Sequence, residues 1–328
     1  MGQNCTACLK GTPAEGKNIQ DMDLSKKNIG GGLLEVIKED QMENIETPLQ
    51  SDRGDKKYRL YTGNPNMQMS HKAREIEGTF PHLDLSFEGI NTYYLEDGSI
   101  YTGNFNENYE KIGKGIEVTK DGSKYVGDFK NNMRNGIGRL ITAEGNSYEG
   151  EFCKGVFEGN GKLCLDKLKY EGNFVNNLQH GKGKEIWNDG SYFEGMYEKG
   201  LKNGFGKFIW NDNSWYEGEF KDNKLEGRGV YCWVSGKMYE GLWADNKMNG
   251  FGVFTWKDGR RYDGNFVNDH KHGKGQFKWP NGKIYYGSWE YGKQHGYGEI
   301  MFYDLKKGLF VTKKGIWEKG IIKEWLKK

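Results

Sequence analysis

The chain has 328 residues, 35% of them hydrophobic and 14% aromatic, with 50 glycines and only 5 prolines. Glycine at that level without a three-residue period or abundant proline excludes a collagen-like triple helix, and the aromatic load excludes disorder over most of the length. Lys+Arg 48 against Asp+Glu 46 excludes the global basic footprint of a nucleic-acid binder, and no apolar run approaches the ~18 residues of a membrane-spanning helix.

The amino terminus, Met1-Gly2-Gln3-Asn4-Cys5-Thr6, fits the N-myristoylation pattern, with Gly2 as acceptor and Thr6 at the Ser/Thr position. One myristoyl chain binds membranes only marginally, at about 10⁴ M⁻¹, so stable anchoring needs a second signal. Lys10, Lys17, Lys26 and Lys27 are diluted by Glu15, Asp21 and Asp23, which leaves a weak basic patch. Palmitoylation of Cys5 or Cys8 supplies the missing anchor. The start lacks the apolar stretch of a secretory signal, and the five cysteines form no dense framework, so the chain reads as cytosolic and reduced. Residues 1–86 read as a mostly disordered tail of mixed charge. Within it Leu33, Leu34, Val36, Ile37 and Met42 predict a short amphipathic helix near 33–42, either transient or docked on an aromatic groove in cis or on a partner.

From residue 87 the sequence repeats. Tyr101, Tyr125, Tyr148, Tyr170, Phe193, Tyr216, Tyr239, Tyr262 and Tyr285 recur at spacings of 24, 23, 22 and then 23 residues. A half unit precedes them at 87–98 and a degenerate one follows at Gly315-Ile316-Trp317. Within one unit Tyr216, Gly218 and Phe220 alternate with Glu217 and Glu219, the period of a half-buried strand. Lys221-Asp222-Asn223-Lys224 predicts a turn, a second strand starts near Gly229, and Ser235-Gly236 turns the chain back. Each unit is thus a hairpin, and successive hairpins continue one antiparallel sheet. The fold class is all-β: an elongated single-layer ribbon of about nine 23-residue hairpins over residues 87–320, with a cap or tail at 321–328. At ~4.8 Å per strand each unit advances ~10 Å, and nine units reach on the order of 90 Å.

One face of this ribbon is aromatic. Trp187, Trp210, Trp233, Trp256 and Trp279 occupy one slot, continued by Phe302, and they share a face with the tyrosines. Most of these rings are core, and a groove can remain between them; Tyr216, Trp233, Tyr239, Trp256, Tyr262 and Trp279 are its candidates. The other face carries an acidic column (Glu149, Glu171, Glu194, Glu217, Glu240, Asp263) beside Arg139, Lys162, Lys184 and Lys207, which predicts weak cross-strand ion pairs. His180, His272 and His295 sit in equivalent slots ~10 Å apart, too far to share a metal, and no third ligand joins His270 and His272. None of the Gly-x-Gly pairs opens a helix or has the Lys-Ser/Thr of a phosphate loop, and no nucleophile elbow or kinase signature is present. No cofactor and no metal are expected.

Tyr262-Asp263-Gly264-Asn265-Phe266 followed by His272-Gly273-Lys274-Gly275 resembles the signature of the MORN family (membrane occupation and recognition nexus), over roughly residues 87–320. The pattern departs at 110–113, which adds a residue, at 166–169, which loses one together with the glycine turn, and after Phe302. The resemblance implies a twisted single-layer ribbon. It also implies a non-enzymatic scaffold, since the repeats leave no room for the kinase or methyltransferase domains attached to them elsewhere. Relatives tether membranes, cytoskeleton or ciliary structures, so the leading expectation is an acylated adaptor at the cytoplasmic face of a plasma or ciliary membrane. A helix or a second ribbon would then bind its aromatic face, with a homodimer possible through open edges. One alternative is a phosphoinositide-binding module using Arg134, Lys202, Lys224, Lys247, Lys271 and Lys293, read as aligned along one edge. Another is a ciliary or axonemal structural protein similar to radial-spoke head components.

Overall fold

The computed structural model describes residues 59–60 and 91–327. Gly2, Cys5, Cys8 and the helix expected near 33–42 lie outside the described residues. The described chain forms two compact units, one with residues 59–60 and 91–201 and the other with residues 202–327. Both are all-β and antiparallel, each built of hairpins in which a strand pairs with its neighbours in sequence.

In the first unit Arg59–Leu60 lends a two-residue strand to Thr92–Tyr94, from within the segment read as tail. Ile100–Phe105 follows, and hairpins run on to Tyr192–Glu198. The extra residue near 110 is absorbed in a longer loop, where the Asn106 carboxamide oxygen accepts from the backbone N–H of Asn108 and Glu110, both at 2.9 Å. The missing residue at 166–169 shortens a connection to Asp166-Lys167, between Val156–Leu165 and Leu168–Val175. The second unit runs from Lys202, the second residue of Leu201–Ile209, through Ile321–Trp325. Lys293–Asp304 and Leu309–Glu318 are longer than their counterparts, so Phe302 lies within a strand paired to Val311 and does not take the loop position of the tryptophans. Trp325 packs edge-on to Trp317 at 5.7 Å, and the Leu326 N–H donates to the Lys314 carbonyl, which ties Ile321–Trp325 to Leu309–Glu318.

One hairpin explains the rest. Trp215–Lys221 and Lys224–Cys232 are joined by Asp222-Asn223, with φ of 47° and 66°. Two positive φ values make a type I′ turn, whose twist matches the strands and which Asp and Asn tolerate. The second strand therefore starts at Lys224, five residues before Gly229 where the sequence pattern placed it. Between Gly218↔Gly229 and Glu219↔Glu226 two residues, Gly227 and Arg228, bulge from this hairpin and pair instead with Trp243 and Leu242 of the next. The bulge puts Gly227 at φ +58°.

The second residue of the turn also ties neighbouring hairpins together. The Leu225 N–H donates to Asn246 Oδ1 at 2.7 Å, and the Asn246 N–H donates back to the Leu225 carbonyl at 3.1 Å. The same double bond links Lys202 with Asn223 and Met248 with Asp269. Where the second turn residue is glycine, as at Gly200 and Gly292, only the backbone half is made.

The core is the tyrosine column. Tyr101, Tyr125, Tyr216, Tyr239, Tyr262 and Tyr285 are each 0% exposed. Each ring lies flat on a glycine pair. A Cβ on Gly229 would stand 2.2 Å from the Tyr216 hydroxyl, and one on Gly218 would stand 2.5 Å from that hydroxyl and from the Gly229 Cα. The Tyr216 hydroxyl then reaches the Glu219 carbonyl at 2.9 Å. That is the physical content of the Tyr-x-Gly and Gly-x-Gly spacing: three residues build one slot for one ring. Burial pushes these phenols far above their ordinary range, so they are neutral donors at any physiological pH.

A candidate partner-binding face

In the second unit the tyrosines and the aromatic ends of the first strands form an edge-to-face chain. Tyr216–Trp243, Tyr239–Trp243, Tyr239–Phe266, Tyr262–Phe266, Tyr262–Trp289 and Tyr285–Trp289 are spaced 5.1–5.5 Å between centroids. Edge-to-face pairs add about 0.5–1.5 kcal/mol each beyond area burial, so the chain rigidifies the layer. Beside it runs a second, tilted series from Trp210 through Tyr231, Trp233, Phe254, Trp256 and Phe277 to Trp279, with centroids 4.4–5.5 Å apart. Trp210, Trp233, Trp256 and Trp279 do share one slot: each indole-bearing residue donates its backbone N–H to the carbonyl four residues on, closing the loop between hairpins.

The two series divide the six groove candidates. Tyr216, Tyr239 and Tyr262 are wholly buried and offer no surface. Trp233, Trp256 and Trp279 are half-buried and form the accessible stripe. The Arg260 guanidinium lies 5.3 Å from the Trp256 ring and the Lys283 ammonium 4.9 Å from the Trp279 ring, so the stripe carries cations over its ring faces.

The six basic candidates also divide. Lys224, Lys247 and Lys293 stand three residues before a Gly-x-Gly, at the start of the second strand; Lys224 pairs with Asp245 at 2.6 Å in the open. Arg134, Lys202 and Lys271 stand two residues before it, and adjacent strand positions face opposite ways. Lys202 is 5% exposed. Arg134 lies over the Tyr125 ring at 5.2 Å and reaches Glu117 at 3.7 Å, beside the Lys111–Glu117 ion pair. The six do not share one edge. Grouping them by charge hid their offset from the glycines; the inward slot also holds Lys111, Phe157, Gln179, Leu225, Met248 and Gln294, so composition alone does not mark it.

Lys271 is the sharpest case. Its ammonium lies among four rings, 5.3 Å from Trp256, 5.5 Å from Tyr262, and 5.0 Å from both Phe277 and Trp289. The residue is half-buried, and the four rings around the ammonium desolvate it. Burial, helped by the nearby Arg260 charge, pushes it down to about 8.

On the opposite face the predicted ion pairs are present: Lys162–Glu171 at 3.4 Å, Lys184–Glu194 at 3.7 Å and Lys207–Glu217 at 2.8 Å. Their side chains are 42–69% exposed, so each contributes only tenths of a kcal/mol. His295 faces Glu290 at 3.4 Å and His270 bonds its own turn at the Asn268 carbonyl. Among the described residues no three His, Cys, Asp or Glu side chains converge as a metal site would require.

Comparison with known proteins matches the MORN repeat model to eight segments, residues 125–147, 148–165, 170–192, 193–215, 216–238, 239–260, 262–284 and 285–304. No curated protein matches the chain. Among solved structures, the TCP10 domain of Danio rerio CPAP in complex with a STIL peptide is 12% identical, with 72% of this chain and 98% of that one covered and a TM-score of 0.32. The TCP domain of Drosophila melanogaster SAS-4 in complex with a proline-rich motif of Ana2 is 12% identical, covering 56% and 93%, at 0.30. The Danio rerio domain solved without that peptide is 10% identical, covering 62% and 87%, at 0.23. All three scores fall below 0.5, and nothing of those proteins' partners is carried over to this chain.

Proposed function

The chain belongs to the MORN-repeat family, and from that membership we propose that it is a non-enzymatic scaffold that binds a protein partner along the aromatic face of residues 202–327. The observation that carries this reading is the half-buried Trp233–Trp256–Trp279 stripe. Three indoles at one slot, held by loop hydrogen bonds and backed by a rigid ring layer, make a pre-ordered apolar surface. Aromatic anchors of this kind supply most of the energy at protein interfaces, and a rigid one loses little entropy on binding.

Anchoring at the cytoplasmic face of a plasma or ciliary membrane belongs to the same proposal. It rests on Gly2, Thr6, Cys5 and Cys8, whose pattern supplies the two acyl signals that stable anchoring needs. The scaffold and the anchor are separable. Alanine at both Trp233 and Trp256 should remove the captured partner from a protein that still folds; retention of every partner would overturn the face assignment. Gly2→Ala should release the protein from membranes to cytosol and abolish labelling with a myristate analogue. Unchanged membrane residence would overturn the anchor.

A further inference from the structure

Several buried charges of the ring layer have a charged or amide partner. Lys111 and Arg134 flank Glu117, and the Glu185 carboxylate receives the Gln179 amide at 2.7 Å. Lys271 has four rings and no acid. The carboxylates nearest before it in sequence are already held: Asp258 by Arg260 at 2.8 Å, Asp263 by Arg261 at 2.7 Å, and Asp269 by the Met248 N–H at 2.8 Å. Asp245 is held by Lys224. The only charge acting strongly on Lys271 is repulsive, from Arg260. The equivalent slots one and two units earlier hold Met248 and Leu225, so the fold does not need a cation there.

A desolvated ammonium without a counter-ion costs stability, and ring faces offset only part of that cost. We propose that Lys271, with Arg260 and Lys283 beside it, forms an acidic-peptide subsite, in which an Asp or Glu side chain of the partner, set between apolar residues, inserts beside Trp256 and Trp279 and pairs with the Lys271 ammonium. This rests on the aromatic face being the partner-binding surface. It adds the chemistry of the occupant: apolar side chains cover the indole stripe, and one carboxylate supplies the missing anion. Charge complementarity favours this occupant. Three cations lie over the rings between Trp256 and Trp289, and the one carboxylate paired with them, Asp258, is engaged by Arg260. A charge pair completed in a desolvated pocket is strong, whereas the same pair on the rim adds little.

The test uses the full chain as bait for a displayed library of random peptides, with Lys271→Met and the Trp233→Ala/Trp256→Ala double variant as comparators. Lys271→Met is chosen because Met248 fills the equivalent slot, and its melting curve checks that it folds. The expected result is enrichment of peptides with an Asp or Glu between apolar residues. These should bind Lys271→Met roughly tenfold or more weakly than the unmodified chain, with their Asp→Asn or Glu→Gln versions equally impaired. Enriched peptides lacking acids, or acidic ones binding Lys271→Met as tightly as the unmodified chain, would overturn the subsite. If such peptides still depend on the two tryptophans, the scaffold face stands and only the acidic subsite falls. If they ignore both variants, the face assignment falls as well.

Discussion

Replacing Gly252 with alanine tests the ring-on-glycine construction directly. The backbone of Gly252 is outside the left-handed region, so alanine is not strained by φ there. Its Cβ, however, would stand 2.4 Å from Cε2 and Oη of Tyr239 and 2.5 Å from Cζ, where carbon contacts need about 3.5–4.0 Å. The ring is 0% exposed and is held by Trp243 at 5.2 Å and Phe266 at 5.1 Å, so it has no open space to enter. Moving it breaks the hydroxyl bond to the Leu242 carbonyl at 3.0 Å. Overpacking costs about 1–3 kcal/mol and an unsatisfied buried phenol about 1–3 more, so we expect a loss of about 2–6 kcal/mol. Gly190→Ala is the comparator. Its Cβ meets nothing within 4 Å, but its φ is +85°, so only the conformational cost of about 1–2 kcal/mol applies. Denaturant midpoints followed by circular dichroism and tryptophan fluorescence give both values. A Tyr239→Leu background should remove most of the Gly252→Ala cost, a coupling of about 2 kcal/mol. Equal losses at Gly252 and Gly190, or no coupling to Tyr239, would refute the slot.

Asn246→Gly keeps the positive φ but deletes the acceptor for the Leu225 N–H, and should cost about 1 kcal/mol; Asn246→Ala should cost about 1 kcal/mol more through φ strain, both read from urea midpoints. For Lys271, burial lowers the folded value from 10.5 to about 8, so its protonated form is penalised. Stability should therefore rise as pH goes from about 8 towards 10.5, and Lys271→Met should flatten that rise in a pH series of melts. The lowered value sets the gain from Lys271→Met at neutral pH at up to about 3 kcal/mol, and cation–π attraction offsets up to about 2 of it. Burial raises the Asp269 carboxyl, so its ionised form is the disfavoured one in the fold. Its contribution is present in full at acid pH and lost as pH rises through the raised value; Asp269→Asn should raise the melting temperature at neutral pH and remove that acid-side gain.

The fold was legible because the period assigns residues to slots. Tyr216, Gly218 and Gly229 announce their relation through spacing alone. What the period did not reveal was the offset between strands. The two-residue turn at Asp222-Asn223 starts the second strand at Lys224, five residues before Gly229, and Gly227 and Arg228 then bulge out of register. The same offset hid the inward direction of Lys271: two residues before the glycines is a core slot, and three is a solvent slot. That slot holds Leu225 and Met248 but also Lys111, Gln179 and Gln294, so only the offset from the glycines marks it as inward. The accessible stripe was half legible. Trp233 and Trp256 carry the same hydrophobic signal as Tyr239, and only the loop geometry that leaves indoles at the surface separates them.

The turn-to-strand bonds have a direction. At each of nine turns, from Asn132 donating to the Lys111 carbonyl to Gly320 donating to that of Gln294, the N–H reaches back to the preceding hairpin. Each hairpin is therefore clipped by its successor. The array thus has a mechanical polarity: a hairpin that opens releases the clip on the one before it, so opening should spread towards the amino end, read as the order of amide exchange. Each hairpin lost unlocks the one before it, as stitches run from one end of a seam.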